Sequence, residues 1–251
     1  MPLTIQSLRF GAVVWLAFVL PASAQAGETH FLLMFGSQRI PNNPDYAHTF
    51  ATFVRVQWAG DGPCRKGAHF EAHTISWLPS NLVVRTRAFL PESGKNFDLD
   101  TTLRYALCNK ERVSLWGPYE IRPDLYCRAL KQIDRLDSGK LKYKANDTAF
   151  PASRVSNCIH AVSEVVERPL LIVLSPGWGE VASYMVLLRL RPWIRDEATQ
   201  HYWVSSALGL DQYPIIYRER IAPPASGALL GPIFRLFGGE RGLGPTYGPP
   251  R

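Results

Sequence analysis

Long apolar runs are missing after residue 20. The best candidate, Met185 to Leu190, is interrupted by Arg189 and followed by Arg191. A membrane-spanning helix needs about 20 apolar residues, so no integral span is expected in the mature chain. A basic stripe is missing too. The 28 lysines and arginines outnumber 21 acidic residues, a net charge of +7, but they are scattered and not interleaved with aromatics. A nucleic acid partner is therefore not expected, and a mild attraction to anionic envelope surfaces is the most the charge implies. No glycine-rich loop stands between a strand and a helix to cradle phosphate. Ser183 lacks the Gly-x-Ser-x-Gly surroundings of a serine nucleophile, and no internal repeat is present. Cys64, His69 and His73 lack a fourth ligand to complete a metal set, and four strand residues separate the two histidines by about 13 Å. Neither metal nor cofactor is expected.

What is present begins with an export signal. Arg9, the apolar run Phe10 to Leu20 and the small residues of Pro21-Ala22-Ser23-Ala24-Gln25-Ala26 follow the order of a secretory signal cleaved after Ala24 or Ala26. Residues 1–26 thus leave the fold, and the protein is expected to be exported to a periplasmic or extracellular space. With 46% apolar and 12% aromatic residues, the remainder can bury a core. It reads as one domain over 27–220, with a C-terminal extension from about 168. A Pro/Gly-rich tail follows over 221–251.

Cysteine is scarce but informative. Cys64, Cys108, Cys127 and Cys158 all survive signal removal, and four cysteines in an oxidising compartment permit two disulfides in three connectivities. Cys158 stands apart from the others. Ser156 or Asn157 can cap a helix that starts at it, and apolar residues recur at Ile159, Val162, Val165 and Val166. A thiol over the unpaired amides of a helix start is in a setting that favours thiolate. The alternative is a half-buried structural cysteine or one half of a disulfide. If Cys158 is a working thiol, Cys108 with Cys127 is the expected bridge, and Cys64 is left over.

The spacing predicts strands over 29–37, 46–58, 69–79, 82–89 and 111–116, with a turn at Gly117-Pro118 leading into a further strand. Helices are expected over 98–107, 123–136 and 181–190, and over 198–208, with a last strand over 214–220. An apolar strand or helix is expected over 169–174. A two-residue turn on Asp61-Gly62 would pair His48 with Ile75 and Phe50 with His73, setting both histidines diagonally adjacent on one face. A longer loop through Cys64 to Gly67 shifts the register and separates them. Strand histidines facing water are the plainer reading.

The order Tyr46-Ala47-His48, then His73, then Asn157-Cys158-Ile159-His160 resembles the circularly permuted papain-like cysteine hydrolases, which include NlpC-type amidases and lecithin retinol acyltransferase-like enzymes. Gly117-Pro118-Tyr119-Glu120-Ile121 ahead of a helix and Asn-Cys is similar to bacterial members of that group. The resemblance covers 45–167 at most; Cys64 in the histidine loop and Thr49 after the first histidine depart from the pattern. It implies an α+β fold in which an antiparallel sheet packs against a nucleophile-bearing helix. It also implies Cys158 as nucleophile, His48 as base and His73 as the residue orienting His48. His160, two residues past the thiol, is expected to be structural. The implied substrate is an amide or ester of the envelope, in a peptide, peptidoglycan or lipid. The rival reading is a non-enzymatic, disulfide-stabilised envelope binding domain.

Overall fold

Two strands of twelve residues carry the molecule: β1 (Gly27–Gln38) and β2 (Ala47–Trp58), antiparallel from Gly27 opposite Trp58 to Gln38 opposite Ala47. From Phe31 to Gln38 and from Ala47 to Val54 every residue is buried. Strands covered on both faces read as continuous apolar runs, which is why Phe31-Leu32-Leu33-Met34-Phe35 shows no alternation. The computed structural model describes residues 27–58, 67–148, 150–151, 153–166, 177–224 and 246–247. The proposed signal lies outside these, as do Cys64, the Asp61-Gly62 turn and the segment expected over 169–174.

The fold is mixed α+β, with two sheets and five α-helices among the described residues. Around the central pair lie β3 (His69–Ile75) beyond β2 and β6 (Arg112–Ile121) beyond β1. Then come β9 (Ile215–Arg218), parallel to β6, and β10 (Thr246–Tyr247), so a strand forms within the expected tail. The smaller sheet runs β4 (Trp77–Pro79), β5 (Glu92–Asn96), β7 (Lys142–Tyr143), β8 (Val155–Ser156). The strand expected over 69–79 thus breaks at Ser76 and feeds two sheets. Two expected strands join at Gly117, since β6 runs through it with a register irregularity opposite Leu32 and Met34. Residues 82–89 form no strand; β5 begins after them, at Glu92.

Helix α1 (Leu99–Cys108) starts at Asp98, whose side chain accepts from the Thr101 N–H, and packs Leu103 and Ala106 on one face of the large sheet. Helix α2 (Pro123–Asp137), opened by a proline in its first turn, packs Leu125, Tyr126 and Ala129 on the opposite face. There it is joined by α3 (Cys158–Ser163) and α4 (Glu180–Leu190); α5 (Tyr202–Ala207) lies with α1. This arrangement overturns the expected Cys108–Cys127 bridge: both cysteines are free and exposed, on helices covering opposite faces.

Between Trp178 and Ile221 the chain belongs to the same core. Gly36 lets α4 approach β1, since a Cβ there would lie 2.7 Å from Ser183 Oγ and 2.8 Å from Glu180 Cα. Glu180, fully buried, takes Arg112 at 2.9 Å, the Ser114 hydroxyl at 2.6 Å and Arg218 at 3.3 Å. One carboxylate thereby fastens α4 to β6 and β9.

Candidate active site

The start of α3 is built from hydrogen bonds. Asn157 caps it, its Oδ1 accepting from the His160 N–H at 2.8 Å. Asp147, buried in the loop after β7, accepts from the Asn157 N–H and from its side-chain amide, both at 2.9 Å. The same carboxylate takes Nδ1 of His160 at 2.6 Å, so His160 clamps the helix start, in agreement with a structural role. The indole of Trp77 donates to the Ser156 carbonyl at 3.1 Å and ties β4 to the approach. Asp147 escaped sequence reasoning because ten residues separate it from Asn157; no local pattern joins them.

Cys158 is the first residue of α3 and is 8% exposed. Its sulfur lies against the backbone amide of Thr49, besides those of Cys158 itself and Ile159, and these favour the thiolate. Burial outweighs them. Desolvation, aided by the charge of Asp147, pushes the thiol up to about 12. The expected thiolate setting is thus corrected: six residues of helix supply a small dipole, and a carboxylate stands nearby. At neutral pH the residue is a protonated thiol.

Thr49 follows His48, so folding brings the thiol-bearing helix to the start of β2. His48 is 1% exposed, stacks on Phe50 at 5.3 Å between centroids, and has Nε2 2.9 Å from Ser76 Oγ. Ser76 Oγ is in turn 2.8 Å from Thr102 Oγ1, whose hydroxyl also reaches the Asp98 carbonyl at 2.7 Å. Nδ1 of His48 has no hydrogen-bond partner, the thiol included. Burial pushes the imidazole down to about 3, so it is neutral across the physiological range.

His73 is elsewhere. Ile75 pairs with Ala51 and His73 with Phe53, a register three residues from the one a two-residue turn would give. An odd shift exchanges the faces of one strand relative to the other. His73 lies under α2 against Tyr126, at 6.0 Å between centroids, and bonds Glu71 at 2.7 Å. His48 points to the face of α1 and is five residues away along β2, about 16 Å at strand rise. The residue that does meet His48 is Ser76. Its signal was a lone hydroxyl between Ile75 and Trp77, in a run otherwise fit for a core.

One more polar group shares this face. Ser37 stands opposite both His48 and Val113 in the ladders and donates at 2.6 Å to Glu111, two residues before Val113. Glu111 is 4% exposed, its Oε1 has no hydrogen-bond partner, and burial pushes it up to about 7 against the pull of Ser37 and Arg39. Among the described residues no group of three or more His, Cys, Asp or Glu side chains is arranged to hold a metal. Comparison with family models, curated proteins and solved structures gives no match.

Proposed function

We propose that this chain is a thiol-dependent hydrolase or acyltransferase of the permuted papain-like kind, acting after export on an amide or ester of the cell envelope. Cys158 is the nucleophile, His48 the base, and Ser76, in place of His73, the residue that orients the imidazole. The observation that carries this reading is the packing of α3 on β2, which brings Cys158 near Thr49, the neighbour in sequence of a buried histidine with one ring nitrogen fixed and the other unpartnered.

The chemistry starts from neutral partners. Ser76 Oγ accepts from the Thr102 hydroxyl and, in the tautomer that serves as base, from Nε2–H, which leaves the lone pair on Nδ1. The sheet lies between α3 and the imidazole, so as the sulfur attacks the carbonyl carbon its proton passes to Nδ1 around the edge of β2 that β3 leaves open beyond Ile75. The S–C bond forms, the C–N or C–O bond breaks, and the proton leaves with the amine or alcohol. The amides of Cys158 and Ile159 are available to the developing oxyanion. Water or a second acceptor then releases the acyl group.

The test is turnover of p-nitrophenyl esters by single variants. Cys158→Ala should abolish it, His48→Gln should lower it by about 10²- to 10⁴-fold, Ser76→Ala should lower it less, and His73→Ala should leave it within about twofold. Equal loss in His73→Ala and Ser76→Ala would overturn the assignment. The rival, a binding domain without chemistry, is favoured by one observation: the thiol is held protonated by burial. Absence of turnover in the wild-type chain would support it, whereas turnover unchanged in Cys158→Ala would overturn the assignment of the nucleophile. Among the described residues Cys108, Cys127 and Cys158 are free, which does not favour the two internal bridges of the rival reading.

A further inference from the structure

Among the described residues, four large apolar side chains stand in solvent: Ile40 at 60% exposure, Val83 at 48%, Phe89 at 85% and Leu90 at 71%. They come from two segments that the structure binds together. The Arg39 N–H donates to the Tyr46 carbonyl at 3.2 Å, closing a turn that contains both Ile40 and Asp45. Asp45 then accepts from both the N–H and the hydroxyl of Thr86, at 2.9 and 2.7 Å. Lys144 donates to the Ala88 carbonyl from the other side. The segment 82–90 is therefore fixed, and its residues alternate: Leu82, Val84, Thr86 and Ala88 are half-buried, while Val83, Arg85, Arg87 and Phe89 face out.

We propose that this edge docks on an anionic bilayer surface, with Phe89 and Leu90 entering the hydrocarbon boundary and Arg85 and Arg87 meeting acidic headgroups. Two features favour a bilayer over a protein partner. Phe89 and Leu90 are almost wholly in solvent, and the outward row sets Arg85 and Arg87 between Val83 and Phe89, the mixture that suits the interfacial layer. A net charge of +7 adds the matching long-range attraction. Arg85 is also 3.2 Å from Glu92 at the surface, so Arg87 is the cleaner cation to test. The turn over 39–46 runs directly into β2, so docking here would bring the His48 end of the sheet to the membrane. The inference does not depend on that site being catalytic.

The test uses the full chain and vesicles of phosphatidylcholine with or without phosphatidylglycerol, the anionic lipid that supplies the negative surface potential. In a Phe89→Trp variant, emission should shift to the blue on adding anionic vesicles and be quenched by brominated acyl chains. Cosedimentation should fall about tenfold or more in the Phe89→Ser/Leu90→Ser double variant, and Arg87→Glu should weaken it with a reduced dependence on salt. Emission already blue-shifted without lipid, as under a covering protein segment, or no quenching with lipid, would overturn the proposal. So would equal sedimentation of wild type and double variant.

Discussion

At the scale of single residues, burial decides the protonation of the candidate site. His48 is pushed down to about 3 and Cys158 up to about 12, each mainly by desolvation. For His48 the folded value lies below the unfolded one, near 6.5. Its contribution to stability is complete above pH 6.5 and is lost as pH falls from there toward 3, at up to about 1.4 kcal/mol per pH unit. A His48→Asn variant should show a flatter acid limb in urea titrations run between pH 7 and 4; an unchanged limb would mean the ring is not buried neutral. Glu111 has the opposite sign. Its carboxyl is raised to about 7, so the protonated form is the stable one, and its contribution is lost as pH rises from about 4.5 through 7. Glu111→Gln, which keeps an acceptor for Ser37, should therefore raise stability at pH 8 by about 1–3 kcal/mol and do little at pH 4.

At the scale of elements, the start of α3 rests on Asn157 and Asp147 and only slightly on helix length. Asn157→Ala removes the cap and leaves Asp147 with one fewer donor, the side-chain amide, for a cost of about 1–2 kcal/mol. It should also open the thiol. In the native chain iodoacetamide should modify exposed Cys108 and Cys127 first and Cys158 last, and Asn157→Ala should narrow that gap in peptide maps. Cys158 reacting first in the native chain would contradict its burial.

The elements legible in the sequence were those with local signals: Asp98 ahead of α1, Pro123 opening α2 and Asn157 before Cys158. Pairing was not local. The register of β2 with β3 depends on the connection over 59–68, and a shift of three residues turned His48 and His73 to opposite faces. The strand expected over 82–89 had suitable alternation but no partner; side chains from Asp45 and Lys144 hold it as a loop.

At the scale of the whole molecule, α4 and β9 are part of one core rather than an appendage. Glu180 joins them to β6 through Arg112 and Arg218, and removing one member of a buried ion pair costs about 3–5 kcal/mol. Glu180→Ala should therefore lower stability by that amount in denaturant titrations. A chain ended at residue 167 should lack near-ultraviolet circular dichroism. A folded fragment of that length would refute the single core. Nothing in the sequence around Gly36 or Glu180 announced this closure, because Arg112 and Arg218 stand 68 and 38 residues from Glu180 and meet it only through the sheet.

The central claim is that Cys158 is a nucleophile served by His48. It is tested most directly by incubating the protein with a p-nitrophenyl ester, quenching in acid and locating the added acyl mass by peptide mapping. The account predicts a thioester on Cys158 that disappears on hydroxylamine treatment and forms at least about 10²-fold more slowly in His48→Gln. Acyl groups found only on Cys108, Cys127 or surface lysines, with Cys158 unmodified, would contradict it.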